Sequence, residues 1–325
     1  MSLSERLQRH WYRIDVVSLL LAPLSLIYGA VISVRRTAYA SGLFKIHEFA
    51  IPIVVVGNLT VGGTGKTPFV MALAKELERR GWRPGIVSRG YHGTASQPAL
   101  VPVDGDPEVF GDEPVLISRK TGLPVVVAQR RSDAVNRILA ESVDLVISDD
   151  GLQHLSMQRN VEIVMIDDTE GFGNGMLLPA GPLREPTSRL DSVDIRVRRG
   201  GRAGLGEYAV GLHLGEARNL VTGKEMPLAD FRDQALTSVA GIHRAGRFFE
   251  MLREQGLTIK EYRFPDHHQF LPGDLPTHNN PLLMTEKDAV KCARFAKSHW
   301  WSVPLRTEIP EALVTELESL LGKHP

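Results

Sequence analysis

A lysine and a threonine set directly behind a run of glycines do one kind of chemistry: they gather phosphate oxygens. The segment Val54–Val70 reads VVVGNLTVGGTGKTPFV. Gly62, Gly63 and Gly65 let the backbone curl until successive N–H groups point at an anion. Lys66 follows at a spacing that reaches the outer phosphates of a nucleoside triphosphate such as ATP, and the Thr67 hydroxyl can ligate Mg²⁺. Thr60 stands where the G-x-x-x-x-G-K-[ST] pattern has its first glycine, and Thr64 completes the loop. An ordinary glycine turn is the competing reading. It does not explain GKT at the start of a helical pattern after an apolar strand, where the helix presents its positive end.

Carboxylates come next. Asp149 and Asp150 follow the apolar run DLVIS. The C-terminal end of a parallel strand beside a phosphate loop is where an acidic group holds Mg²⁺ directly or through water. The same DDG is also a common strand-end turn. Asp112 and Glu113 lie in Gly111–Pro114, just before a helical pattern. From local sequence alone Asp112 reads as a helix N-cap with Glu113 in the first turn. Pro265-Asp266-His267-His268 opens a loop, and adjacent histidines cannot easily face one site, so at most one of the two is expected to act.

These groups need elements to hold them. Ile51–Gly57, Pro84–Ser88, Pro124–Ala128, Asp144–Ser148 and Val161–Ile166 read as buried strands separated by helical patterns at Lys66–Arg80 and Arg130–Glu141. Continuous Val/Ile runs alternating with helices predict a parallel sheet covered on both faces. With right-handed crossovers that is a doubly wound α/β domain of the P-loop NTPase kind. Arg196–Gly206 is glycine-rich and basic, and is expected to be a junction or hairpin. A second alternation follows: strands at Leu236–Gly241, Thr258–Phe264 and Pro281–Thr285, with helices at Arg247–Glu254 and Glu286–Phe295. The expected division is an N-terminal helix at 1–36, a P-loop core at 37–215 and a smaller α/β domain at 216–325.

Composition narrows the classes. Lys plus Arg equals Asp plus Glu at 38 each over 325 residues. A general nucleic-acid binder would carry a basic excess, so that class is disfavoured. Cys292 is the single cysteine, which excludes an internal disulfide, suits a reducing compartment and leaves no cysteine pair for zinc. Val16–Val34 is free of charge and as a helix spans roughly 28 Å, close to a bilayer's hydrocarbon thickness. Arg6, Arg9 and Arg13 precede it, and Arg35 and Arg36 follow. A signal peptide with a site at Ala38-Tyr39-Ala40, a single span and a buried core helix are all open. The basic flanks favour a helix lying on an anionic membrane surface.

Several segments, taken in order, resemble the tetraacyldisaccharide 4'-kinase family: VGNLTVGGTGKTP at 56–68, SRGY at 88–91, GDEP at 111–114, DDGLQH at 149–154, LLPAGPLREP at 177–186, PDHHQF at 265–270 and MTEKDAVK at 284–291. The chain departs from the family at Gly241–Phe249, where His243-Arg244-Ala245 replaces an expected asparagine or alanine followed by proline. The resemblance implies transfer of the γ-phosphoryl of ATP to the 4'-hydroxyl of a tetraacyldisaccharide 1-phosphate at the cytoplasmic face of the bacterial inner membrane. It implies Asp112 as the base assisted by His267, with Arg184 stabilising charge and Glu113 joining Thr67, Asp149 and Asp150 as metal ligands. It implies no obligate protein partner. Arg189, Arg196, Arg198, Arg199 and Arg202 are further candidates to meet the 1-phosphate, or else a solvated basic loop.

Two other classes share the loop. A GTPase switch or metal chaperone would read guanine with [NT]KxD, but Thr285-Glu286-Lys287-Asp288 is misordered, and Asp168–Gly171 matches D-x-x-G only as a short pattern. A membrane-bound nucleotide-binding module without catalysis is the third.

Overall fold

The computed structural model describes residues 10–63, 65–91 and 93–322; the expectations for Arg6, Arg9 and Thr64 lie outside them. The Val/Ile runs form strands because their β-branched side chains pack on a pleated surface and are buried on both faces. The first sheet takes β1 (Ile53–Gly57), β2 (Pro84–Ser88), β3 (Ala99–Leu100), β4 (Val125–Val127), β5 (Leu145–Asp149), β6 (Val161–Asp167), β7 (Ile195–Arg199) and β8 (Tyr208–Val210). Their spatial order is β3-β4-β2-β5-β1-β6-β7-β8. Every pair is parallel except the short edge strand β3 on β4. The chain leaves β1 towards β2 and later returns to place β5 and β6 on either side of it, so the ends of β1, β5 and β6 frame one crevice.

Helix α1 is Val16–Ala40, α2 Lys66–Arg79, α3 Pro107–Phe110, α4 Asp112–Thr121 and α5 Arg131–Ile138. Phe69, Val70, Leu73, Ala74 and Leu77 line the buried face of α2, at the spacing of one helical stripe. They join Val115 and Ile117 of α4 on one face of the sheet, while Ala134, Val135 and Ile138 of α5 cover the other.

The chain passes from the first sheet to the second between Val210 and Ala217. In between, β9 (Leu212–Leu214) pairs antiparallel with β16 (Leu305–Thr307). The second sheet orders β11 (Glu225–Met226), β10 (Ala217–Asn219), β15 (Trp300–Val303), β14 (Leu282–Thr285), β12 (Leu236–Ala240) and β13 (Ile259–Arg263), with α6 (Ala245–Glu254) and α7 (Glu286–Cys292) packed on it. The last helix, α8 (Glu311–Leu320), does not stay with this sheet, as an undivided 216–325 unit would require. Leu313, Val314 and Leu317 are buried in the first sheet's core, and Glu318 receives Trp82 Nε1–H at 2.9 Å and Arg80 at 3.0 Å. An amphipathic helix buries its stripe where apolar surface is open, and sequence order does not decide where that is.

Two expectations change. Arg196–Arg199 is not a junction: it forms most of β7, paired with β6. Asp112 is not the N-cap of α4 but its first residue, and Gly111, with φ +89°, takes the cap. The α1 helix is an inverted amphipath. Ser18, Ser25 and Ala38 are its buried residues, while Leu19, Leu20, Leu24, Leu26, Ile27, Val31 and Val34 are exposed. By length and composition α1 is able to cross a membrane.

Candidate active site

The turn after β1 is built to keep Lys66 straight. Gly62 and Gly65 have φ of +116° and +77°, a region that side chains with a Cβ resist. Lys66 Nζ donates to Asn58 Oδ1 at 2.8 Å and lies 3.5 Å from Asp150. Asn58 is buried, and its Nδ2 donates to the Thr60 carbonyl at 2.8 Å and to Thr60 Oγ1 at 3.1 Å. Thr60 therefore stands in for the usual glycine by giving Asn58 something to hold. The segment Leu177–Pro186 braces the turn from outside: Val61 N–H donates to the Pro182 carbonyl at 2.8 Å and Arg184 N–H to Leu59 at 2.7 Å. Two other side chains crowd the loop. A Cβ on Gly62 would come within 2.8 Å of His243 Nε2, and one on Gly65 within 2.8 Å of Arg199 Cδ.

Asp149 ends β5 and Asp150 begins the turn after it. Asp150 adopts φ +50°, a strained conformation for a residue with a side chain and one that clusters at functional sites. Its carboxylate accepts from Arg184 Nη1 at 3.0 and 3.1 Å. Burial opposes its charge, yet Lys66 and Arg184 outweigh burial and hold the group ionised well below the usual carboxylate range. Asp149 is the contrary case. Burial, with the charges of Glu113 and Asp150 beside it, pushes it up to about 7, and its Oδ1 has no hydrogen-bond partner. A buried carboxylate with an orphaned oxygen among like charges fits a cation. Among the described residues no three acidic or histidine side chains converge on a metal by themselves. Arg131, also buried, donates Nη2 to the Asp149 carbonyl at 2.8 Å.

Asp112 sits at the start of α4, 6% exposed, with His267 Nδ1 3.1 Å from its Oδ2. His267 comes from the loop after β13 of the second sheet, also at positive φ, +59°, and its ring meets Tyr91 edge to face at 5.4 Å. Burial raises the Asp112 pKa, but the His267 hydrogen bond and the ammonium of Lys287 lower it more, so the carboxylate stays ionised. Lys287 Nζ lies 3.1 Å from Glu113, and Lys287 and Lys291 each stand 3.9 Å from Asp112. His268 faces away, bonded to Asp274 at 3.0 Å. The structure thus gathers Lys66, Asp149, Asp150 and Arg184 in one group, and Asp112, Glu113 and His267 in another joined to the first through Glu113 and Asp149.

Four participants escaped sequence reasoning. Asn58, Lys287, Lys291 and Arg131 act through partners distant in the chain, and nothing in their spacing marks them. Cys292 is no nucleophile: burial pushes its thiol up to about 12. Of the five arginines offered for the 1-phosphate, four are occupied. Arg189 pairs with Glu162, Arg198 with Glu207 and Arg199 with Asp167, while Arg196 donates to the Leu190 carbonyl.

Comparison with known proteins gives one consistent answer. A family model described as tetraacyldisaccharide-1-P 4'-kinase matches residues 17–322. A tetraacyldisaccharide 4'-kinase of Nitrosococcus oceani is 46% identical over 321 residues, 98% of this chain and 95% of the relative. One from Methylobacillus flagellatus is 44% identical over 326 residues, 99% of this chain and 97% of the relative. Among solved structures, an LpxK from Aquifex aeolicus in complex with ATP matches with a TM-score of 0.81 and 27% identity, covering 95% of this chain and 99% of that one.

Proposed function

This chain belongs to the tetraacyldisaccharide-1-P 4'-kinase family, and on that premise we propose how its residues carry the reaction. The enzyme transfers the γ-phosphoryl group of ATP to the 4'-hydroxyl of a tetraacyldisaccharide 1-phosphate, the step that gives lipid A its 4'-phosphate. The observation that carries this reading is the pairing of Lys66 with Asn58 and Asp150 at the mouth of a glycine turn, with the ionised Asp112 carboxylate and its His267 partner alongside.

Phosphoryl transfer is positioning and charge neutralisation more than covalent chemistry. The amides of Gly62, Gly63, Gly65 and Lys66, with the Lys66 side chain itself, hold the β- and γ-phosphates. Thr67 and the orphaned Asp149 oxygen would hold Mg²⁺, with Glu113 close by. When bound, Mg²⁺ neutralises charge on the phosphates. Asp112 accepts the proton of the 4'-hydroxyl. His267 orients that carboxylate and, from the second sheet, brings the two α/β units together over the acceptor. Arg184 offsets negative charge next to Asp150. The exposed apolar face of α1 rests in the bilayer, where the acyl chains of the substrate also reside. Arg13, Arg35 and Arg36 at its ends suit an anionic membrane surface, and the use of ATP favours the cytoplasmic face.

The decisive assay supplies labelled ATP and a tetraacyldisaccharide 1-phosphate in detergent. Transfer of label to the glycolipid is expected, and Lys66→Ala should abolish it while the fold's thermal transition persists. Hydrolysis of ATP or GTP without a labelled lipid would favour the nucleotide-switch reading instead.

A further inference from the structure

The arginines expected to meet the substrate's 1-phosphate are tied to carboxylates or to a backbone carbonyl, apart from Arg202. The unspent positive charge lies elsewhere. A cavity of about 410 Å³ opens at the C-terminal foot of α1, lined by Tyr39, Lys45, His47, Arg130, Ser132 and Ser156, with Phe44 at its edge. No acidic residue lines it. Among the described residues, neither Lys45, His47 nor Arg130 has a carboxylate within ion-pair distance. The pattern is that of a group of donors kept available for an anion brought from outside.

The walls are fixed. His47 N–H donates to the Ser156 carbonyl at 2.9 Å, and Gln158 N–H returns to the His47 carbonyl at 2.9 Å. Tyr39 and Phe44 meet edge to face at 5.2 Å. Around the cavity the surface is apolar: Leu43, Phe44 and Ile46 are exposed and alternate with Lys45 and His47. Apolar side chains at a helix foot, interleaved with cations, suit the headgroup layer of a bilayer, where phosphates lie next to acyl chains. The cavity also adjoins the site already described. Arg130 precedes Arg131, which holds the Asp149 carbonyl, and Ser156 follows on the same loop as Asp150 and Gln153.

We propose that this cavity binds a lipid-borne phosphate group at the bilayer surface, with Lys45 and Arg130 as its cations and Ser132 and Ser156 as hydroxyl donors. The proposal rests on the reading of α1 as a membrane-surface element. Two lipids carry such a phosphate there: the glycolipid acceptor, through its 1-phosphate, and the anionic phospholipid around it.

The full chain carrying Lys45→Gln and Arg130→Gln separates them. Both side chains are exposed, so the thermal transition should match wild type. In neutral detergent micelles, a 1-phosphate seated in the cavity predicts a KM for the glycolipid raised about ten-fold, with kcat and the KM for ATP unmoved, the size expected for one or two lost charge-assisted contacts. On vesicles of phosphatidylcholine with and without phosphatidylglycerol, a phospholipid in the cavity predicts that the variant loses the extra binding given by the anionic lipid and keeps the rest. Either result supports the site and names its source. A variant equal to wild type in both arms overturns it. Should wild-type protein fail to bind either vesicle, the membrane-surface reading falls, and the micellar KM alone then decides the cavity.

Discussion

Asp112 and Asp149 are both buried carboxylates, yet their surroundings push their protons in opposite directions. Burial raises each of them. Asp112 then meets His267, Lys287 and Lys291, whereas Asp149 meets the negative charges of Glu113 and Asp150. In the proposed mechanism the first accepts a proton and the second a cation. Asp112→Asn should lower kcat by roughly 10²- to 10⁴-fold, the range for losing a general base, while nucleotide affinity by equilibrium binding stays near wild type. Loss of thermal stability with kcat retained would instead make Asp112 only a first-turn residue of α4. Lys287→Met should also lower kcat through Asp112, with ATP affinity little changed, because it removes an ammonium 3.9 Å from that carboxylate. GKT was legible because a phosphate loop has to be contiguous. Asp112 was not legible on its own, since its partner stands 155 residues away and local sequence offered only a cap.

Helix α1 shows how an element can invert the ordinary rule. It turns small polar side chains to the protein and large apolar ones outward. Ser25 Oγ donates to the Leu177 carbonyl at 2.8 Å and accepts from Ala180 N–H at 3.0 Å. Ser25→Ala should therefore cost about 1–3 kcal/mol in a urea titration, because a buried N–H loses its partner. Leu20→Glu and Leu24→Glu on the outer face should leave that titration unchanged and cut vesicle binding at least ten-fold, since each exposed leucine is worth about 1.5–3 kcal/mol on burial. Length, apolarity and basic flanks made the helix readable in the sequence. Which face would pack was not, because Ser25 has a role only once Leu177 and Ala180 come up beside it. The strand at Ile195–Arg199 hid for a related reason: its outward arginines read as a loop until Asp167 and Glu207 neutralised them.

At the scale of the molecule, the two sheets are fastened through Arg244. Arg244, in the loop after β12, bridges to Asp167 at the end of β6 and to Glu170, and Glu170 also accepts from the Tyr12 hydroxyl at 2.8 Å. Burial opposes the charge of Asp167, but Arg244 and Arg199 lower its pKa from the ordinary 3.8 to about 2. A depressed carboxylate contributes stability that is whole above its unfolded pKa and fades as pH falls towards the folded one. The window is therefore about pH 4 down to about pH 2, and the contribution is on the order of 2 kcal/mol. Arg244→Ala should lower stability in urea at pH 7 by about 3 kcal/mol, the scale of breaking a buried pair, and the deficit should shrink at pH 2.

One bond joins the outermost helix to the innermost chemistry. The hydroxyl of Tyr28, on α1, donates to the carbonyl of Arg184 at 3.2 Å, and the guanidinium of the same arginine grips Asp150. With α1 seated in the bilayer as proposed, this bond would carry a change in the helix's tilt to that arginine. The same purified enzyme should then run at different rates in discs of short-tailed and long-tailed phospholipid, and Tyr28→Phe should flatten the difference.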